Sequence, residues 1–181
     1  MSVTTANIKT GGAFVYIGGT VNTVDADGYY IGVTGGTEVG CTTGGVAVNY
    51  TFETSDIFCD QLLSPVDVAI TGESATIEFE MLETDLDNLE IALSQVVSTT
   101  GKIGVGGIRA MNFVPVMLKI SDNKDATKET TWTFYRCKPG GFSTTFSREN
   151  PTSAKVTFTA YADTDHASGH QLFSINYGDV A

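Results

Sequence analysis

GGVAVNYTFET at Gly44–Thr54, SPVDVAITGESATIEFEML at Ser64–Leu82 and ETDLDNLEIALSQVV at Glu83–Val97 decide the architecture. In the first run Val46, Val48, Tyr50 and Phe52 alternate with Ala47, Asn49, Thr51 and Glu53. That is the period-two pattern of a strand with one dry and one wet face. Asp56–Leu62 reads as its continuation after a bend at Thr54-Ser55. In the second run Val66, Val68 and Ile70 alternate with Asp67 and Ala69. A turn or bulge at Gly72-Glu73 follows, and then Ile77, Phe79 and Met81 alternate with Thr76, Glu78 and Glu80. The third run changes period. Leu86, Leu89, Leu93 and Val96 or Val97 fall at helical spacing. Thr84 is the expected N-cap, with Asp87 completing an approximate capping box. Asp85 and Asp87 suit the positive end of the helix dipole.

Outward from this block the chain reads as further strands. Toward the N-terminus, Met1–Gly12 is a polar arm that carries no secretion signal. Ala13–Ile17 is a short strand, and 18–45 is a long Gly-, Thr- and Asp-rich segment with a hairpin turn signal at Asp27-Gly28. Toward the C-terminus, Ser98–Arg109 is Gly-rich. Val114–Ser121, Glu129–Cys137 and Ala154–Ala162 are strands, Phe142–Ser147 is a short candidate, and Phe173, Ile175 and Tyr177 mark a final edge strand. Many strands and one helix predict a mainly β fold: a β-sandwich or partly open barrel with one flanking α-helix at about 84–97.

Composition narrows the function. The chain has 181 residues, which fits a single domain. A chain of this size buries roughly 70% of its unfolded surface without staples. Only 17% of residues are charged, and the net charge is −11. Low charge density suits a surface that is hidden against copies of itself. A net negative chain is a poor grip for nucleic acid, which needs clustered Lys and Arg, although like charge does keep the polymer from sticking. Cys41, Cys59 and Cys137 are widely spaced, without a CxxC pair, and read as reduced thiols. No apolar run reaches the ~18 residues of a membrane span. Asn49-Tyr50-Thr51 matches a glycosylation sequon but has no secretion signal to accompany it.

No constellation carries chemistry. Gly35–Thr42 (GGTEVGCT) has phosphate-loop spacing, but Cys41 stands where Lys is required and no helix follows. Gly104, Gly106 and Gly107 begin a dinucleotide-like pattern that Arg109 interrupts. His166 and His170, with Asp163 and Asp165, have liganding atoms at short spacing but lack a clear fourth ligand, so an exposed polar turn is preferred. Asp25-Ala26-Asp27-Gly28 resembles part of a calcium loop without its later Glu. There is no G-x-S-x-G elbow, and paired carboxylates cannot be placed across a cleft from sequence. No catalytic residue, cofactor or metal is assigned, and the chain is not expected to be an enzyme.

Gly44–Val97 resembles the tail tube (major tail) proteins of long-tailed bacteriophages. The resemblance lies in the order of a GG-V-x-V strand, an acidic bend, Asp60-Gln61, Pro65-Val66, then Gly72–Phe79, Leu82-Glu83 and the helix. VPVMLKIS and TWTFYRCKP are similar to that family as well, and the likeness covers the greater part of the chain. It implies a β-sandwich with a flanking helix, shared with the type VI secretion tube protein. Copies of this fold close into rings, hexameric in the family, and the rings stack around a channel for DNA. It further implies a virion component assembled in the host cytoplasm. Partners would be other copies and tail proteins such as the tape measure, initiator and terminator, with DNA passing without sticking and no membrane. Glu53, Asp67, Glu78 and Glu80 are then candidate lumen-facing acids, against the equally simple view that they face outer solvent or neighbouring subunits. The N-terminal arm, the 18–45 segment and the C-terminal tail would reach adjacent rings. The alternative is a carbohydrate-binding β-sandwich on a virion or cell surface, with Tyr29, Tyr30, Trp132 and Tyr135 as stacking platform.

Overall fold

Alternation over Thr42–Met81 folds as one long antiparallel hairpin, and the rest of the chain is built around its base. The computed structural model describes residues 12–24, 30–93, 97–99, 101–106, 112–122, 125–146, 152–166 and 169–179. The strands are β1 (Phe14–Ile17), β2 (Thr20–Val24), β3 (Tyr30–Thr34), β4 (Thr37–Glu38), β5 (Thr42–Ile57) and β6 (Asp67–Met81). After helix α1 (Leu86–Leu93) come β7 (Val97–Thr99), β8 (Lys102–Gly104), β9 (Val114–Ser121), β10 (Lys128–Thr145), β11 (Ser153–Ala160) and β12 (Phe173–Asp179).

The main sheet runs β4-β1-β9-β10-β11-β6-β5, with β12 also on β10. Its pairings are antiparallel, and it does not close into a barrel. Strand β10 belongs to two layers. Over Lys128–Phe134 it lies between β9 and β12, and from Cys137 to Thr145 it pairs with β11. Register shifts at Phe134/Cys137 and Pro139/Gly141 separate the halves, and Gly141 takes φ 123°, open to Gly alone without strain. Such bulges bend a strand, so one strand feeds both sheets of a sandwich.

Between the layers lies the core. Val15, Ile17, Val116, Leu118 and Phe134 come from one side, and Ile77, Phe79, Met81, Val156 and Phe158 from the other. The Phe79 and Phe158 rings stack at 6.1 Å and 7°. The alternation of β6 explains this half of the fold directly: residues 75, 77, 79 and 81 are buried while 76, 78 and 80 are half-exposed.

The helix is shorter and rotated relative to expectation. It spans Leu86–Leu93, 94–96 fall outside the described residues, and Val97 opens β7. Its cap is Asp85, whose Oδ1 accepts the Asn88 N–H at 2.9 Å, in place of Thr84. Its buried positions are Asn88 and Ala92, and Leu86 is 43% exposed. Asn88 turns inward because its side-chain amide donates to the carbonyls of Val39 and Glu83, which need partners once covered. Leu89 and Ile91 pack beside it on the core.

Within 18–45 the chain forms the β2–β3 hairpin and β4, and the Asp27-Gly28 turn itself falls outside the described residues. So does the N-terminal arm up to residue 11. Thr54-Ser55 and Gly72-Glu73 do not break the long hairpin. They lie within continuous strands at a register irregularity between Glu53 and Thr54. Ser98–Arg109 holds the β7–β8 hairpin up to Gly104.

Candidate functional site

Strands β5 and β6 stay paired from Thr42↔Met81 to Ile57↔Asp67, but β11 covers β6 only over Ala75–Met81. Residues 50–57 and 67–74 therefore run on beyond the sheet as a two-stranded arm. The register skips Thr71, so the face that covers Val46, Val48, Ile77 and Phe79 at the base presents Tyr50, Phe52, Ile70 and Val68 further out, interspersed with Glu73, Thr54 and Asp56. Phe52 is 58% exposed and Ile70 60%. Around the tip Phe58, Leu62, Leu63 and Val66 are exposed as well. So many exposed large apolar side chains on one arm mark an interaction site in a folded protein. At the base of the arm Tyr50 packs edge-on against Phe173 at 5.8 Å. An open groove of about 750 Å³ runs there between Tyr50, Ile70 and Glu73 on one side and Leu172 and Ile175 on the other.

Charge is segregated along the chain. Residues 10–101 contain fourteen Asp and Glu and no Lys or Arg, and every basic residue except Lys9 lies between 102 and 155. The arm belongs wholly to the acidic part. Of the four candidate acids, Glu53 is exposed on the arm, opposite Gly72. By alternation it shares the outer sheet face with Glu78 and Glu80. Glu78 pairs with Lys155 at 2.9 Å, and Glu80 accepts a hydrogen bond from the Ser153 hydroxyl. Asp67 lies at the far end of the arm, opposite Ile57, with its Oδ1 accepting the Val68 N–H at 2.8 Å. By this register all four lie on one face, with Asp67 set furthest out at the arm's tip.

Sequence reasoning missed a cation–aromatic cluster. The Arg136 guanidinium carbon lies 4.0 Å from the Phe113 ring centroid, and Lys138 Nζ lies 4.3 Å from it. Tyr161 packs edge-on to Phe113 at 5.6 Å. Arg136 and Lys138 are two apart on β10 and so point to one side, a signal the Arg-Cys-Lys triplet already carried.

Other motifs resolve into structure. In Gly35–Thr42 the chain continues as strands β4 and β5, with no helix to gather amides. Cys41 N–H donates to Glu83 Oε1 at 3.0 Å. Gly40, at φ 78°, lies so close to the Glu83 carboxylate that a Cβ would collide with it. His166 is buried and stacked on Tyr135 at 4.0 Å, its Nδ1 3.5 Å from Asp163 Oδ2. Burial holds its pKa below the ordinary imidazole value, with Asp163 opposing. Among the described residues no three His, Cys, Asp or Glu side chains gather as a metal cage requires. Two of the four rings of the alternative stacking platform are taken up within the fold. Trp132 lies flat against Phe173 at 5.9 Å and 10°, and Tyr135 is buried under His166. Tyr29 falls outside the described residues.

No protein-family model matches the chain, and no curated protein matches it. Among solved structures it is similar to a chain of the virion of a native gene transfer agent particle. That match has a TM-score of 0.44 and 12% identity, covering 90% of this chain and 95% of the other. It is also similar to Hcp1 from Salmonella typhimurium, with a TM-score of 0.36 and 10% identity over 93% of this chain and 95% of that one.

Proposed function

We propose that this protein is a structural subunit of a phage tail tube, whose copies close into rings that stack around a channel. The observation that carries the proposal is the acidic β5–β6 arm with its uncovered apolar face. Fully covering a side chain such as Phe52 or Ile70 stabilises by about 1.5–3 kcal/mol. Association costs roughly 4–15 kcal/mol in lost freedom. One arm docking alone is therefore marginal, while several arms docking together are not, which favours cooperative closed assemblies over dimers. The β5 edge also has unpaired backbone groups, and side-by-side addition of copies removes that hazard.

The outer face of β10–β11–β6–β5 supports a place along the channel. It is polar and carries Thr76, Thr157 and Thr159 beside Glu78 and Glu80. Lys138 and Lys155 lie on it as well, the latter paired with Glu78, so the four acids leave it weakly net negative, and that like charge would let DNA pass without adhering. Hexameric rings, stacking partners such as tape measure, initiator and terminator, and host-cytoplasmic assembly follow from the sequence resemblance and belong to the proposal. So do the reach of the N-terminal arm and the 18–45 segment to neighbouring rings and a role without catalysis.

Negative-stain electron microscopy of the purified chain at low and high concentration tests the reading. Rings or tubes with a central channel are expected, and their symmetry gives the copy number. A monomer that binds glycans and never polymerises would sink it. For the lumen, Lys at Asp67, Glu78 and Glu80 should leave tubes intact and slow DNA ejection. Unchanged ejection counts against that placement.

A further inference from the structure

The four-stranded layer β5–β6–β11–β10 has edges of opposite character. Its residues align in rows, one of which is Lys138↔Thr159↔Thr76↔Asn49. Tyr161 N–H donates to the Arg136 carbonyl at 2.7 Å, extending the layer one step further on the β10 side. On the β5 side the arm starts at the same height, where Thr51 pairs with Ser74. The cation–aromatic cluster and the acidic arm therefore leave the sheet at the same end from opposite edges. Among the described residues, neither β5 nor the Lys138–Thr145 half of β10 has a strand on its outer side.

The cations of the cluster differ from their neighbours. Lys119 pairs with Glu129 at 3.1 Å and Lys155 with Glu78 at 2.9 Å. Among the described residues Arg136 and Lys138 have no carboxylate partner. They rest on the Phe113 ring, with Arg136 also donating to the Ala162 carbonyl at 3.3 Å. A cation over a ring face keeps N–H donors at its edge for an anion. Phe113 and Tyr161, 38% and 46% exposed, supply an apolar wall beside them.

We propose that Phe113, Arg136, Lys138 and Tyr161 form a socket for the arm of an adjacent copy of this chain, with Glu53 as the carboxylate it receives. The inference rests on the assembly reading and adds the contact that orders it. Glu53 lies on the sheet face that carries Lys138, four residues along β5 from Asn49 in the Lys138 row and two from Thr51, which is level with Arg136. Head-to-tail addition brings the β5 edge of one copy to the β10 edge of the next. Opposite charges on opposite edges favour that heterologous contact over a two-fold one, which would set acid against acid. The net charge of −11 disfavours nucleic acid as the occupant.

Charge swapping in the full chain, followed by sedimentation velocity across a concentration series, tests the socket. Wild type is expected to assemble. Arg136→Glu with Lys138→Glu, and separately Glu53→Lys, should each raise the assembly midpoint by roughly tenfold or more. All three changes in one chain should restore it. Arg136→Gln with Lys138→Gln gives a milder loss and guards against misfolding, with thermal melts as control. Wild type that assembles while the reversed variants share its midpoint, or a combined variant that is not rescued, overturns the socket and leaves assembly standing. Wild type that stays monomeric throughout overturns the assembly reading and the socket with it. A labelled single-stranded oligonucleotide that binds wild type but not the Arg136→Glu, Lys138→Glu protein would reassign the cluster to nucleic acid.

Discussion

The two halves of β6 are written in the same code and meet opposite fates. Ala75, Ile77, Phe79 and Met81 alternate with polar residues and are 0–2% exposed. Val68 and Ile70 alternate in the same way and are 51% and 60% exposed. What differs is the neighbour: β11 pairs with β6 over the first set and stops before the second. Amphipathic alternation records that a face is to be covered, and it does not say by which chain. In the body the cover is this chain, and on the arm we assign it to another copy.

The largest expected effect comes from breaking the body. Phe158 is fully buried against Phe79. Phe158→Ala removes its transfer energy and leaves a cavity, which costs about 3–5 kcal/mol. Urea denaturation of the variant should show that loss. A change below about 1 kcal/mol would mean that the two layers collapse onto the gap and that the core is less rigid than its stacking implies.

The same chemistry applied to the arm should leave folding alone. Phe52→Asp with Ile70→Asp should shift monomer stability by about 0.5 kcal/mol or less, because both side chains already stand in water. Rings or tubes should vanish under the microscope. Normal tubes from this variant would show that the apolar arm is not an interface and would end the comparison.

Much of this contrast was legible in the sequence. Val46–Phe52 and Ile77–Met81 announced strands, and Val114–Ser121 has the bounds the pattern gave. The helix was placed, but its face was misjudged, since periodicity counts Leu86 and Leu93 as core and passes over Asn88. An Asn that closes two backbone carbonyls is buried for hydrogen bonding, which hydrophobicity does not register. The unity of β10 was hidden because Pro139, Gly140 and Gly141 look like a break. A bulge uses those residues to bend a strand while pairing with β11 continues. At the site, alternation puts the candidate acids on the wet strand face. The cation–aromatic cluster was not legible, because Phe113, Arg136 and Tyr161 meet only through pairing of β9, β10 and β11.

Thiol chemistry offers a smaller and sharper contrast. Cys41 is exposed, Cys59 is half-exposed near the arm's tip with Sγ 2.9 Å from Gln61 Oε1, and Cys137 is buried. Burial pushes the Cys137 thiol well above its ordinary pKa, and the thiolate is the reactive form. A maleimide should label two thiols of the native monomer and the third only after unfolding. Assembly should then slow labelling of Cys59, which moves with the arm. Equal labelling of Cys59 before and after assembly would put the tip outside any interface.

The smallest effect expected is a pH dependence confined to the body. His166 stacks under Tyr135 with its pKa lowered by burial, partly opposed by Asp163 and Asp165 and reinforced by His170. An unfolded chain takes up this proton near pH 6.5. Between that value and the lower folded one the unfolded state binds more protons, so stability rises with pH there. The contribution is complete above about pH 6.5 and is lost as pH falls toward the folded pKa. Asp125, held low by its hydrogen bonds from Thr127, contributes stability that is lost only as pH falls below the ordinary carboxylate value. Melting temperatures between pH 5 and 7.5 should decline on acidification in wild type and stay flatter in His166→Phe. The comparison is of slopes, since the substitution also changes packing. Carrying both measurements out on the Phe52→Asp, Ile70→Asp background removes assembly from the readout. Equal slopes there would show that the buried imidazole does not couple folding to protons, and a difference that vanishes there would move the pH response from the body to the arm.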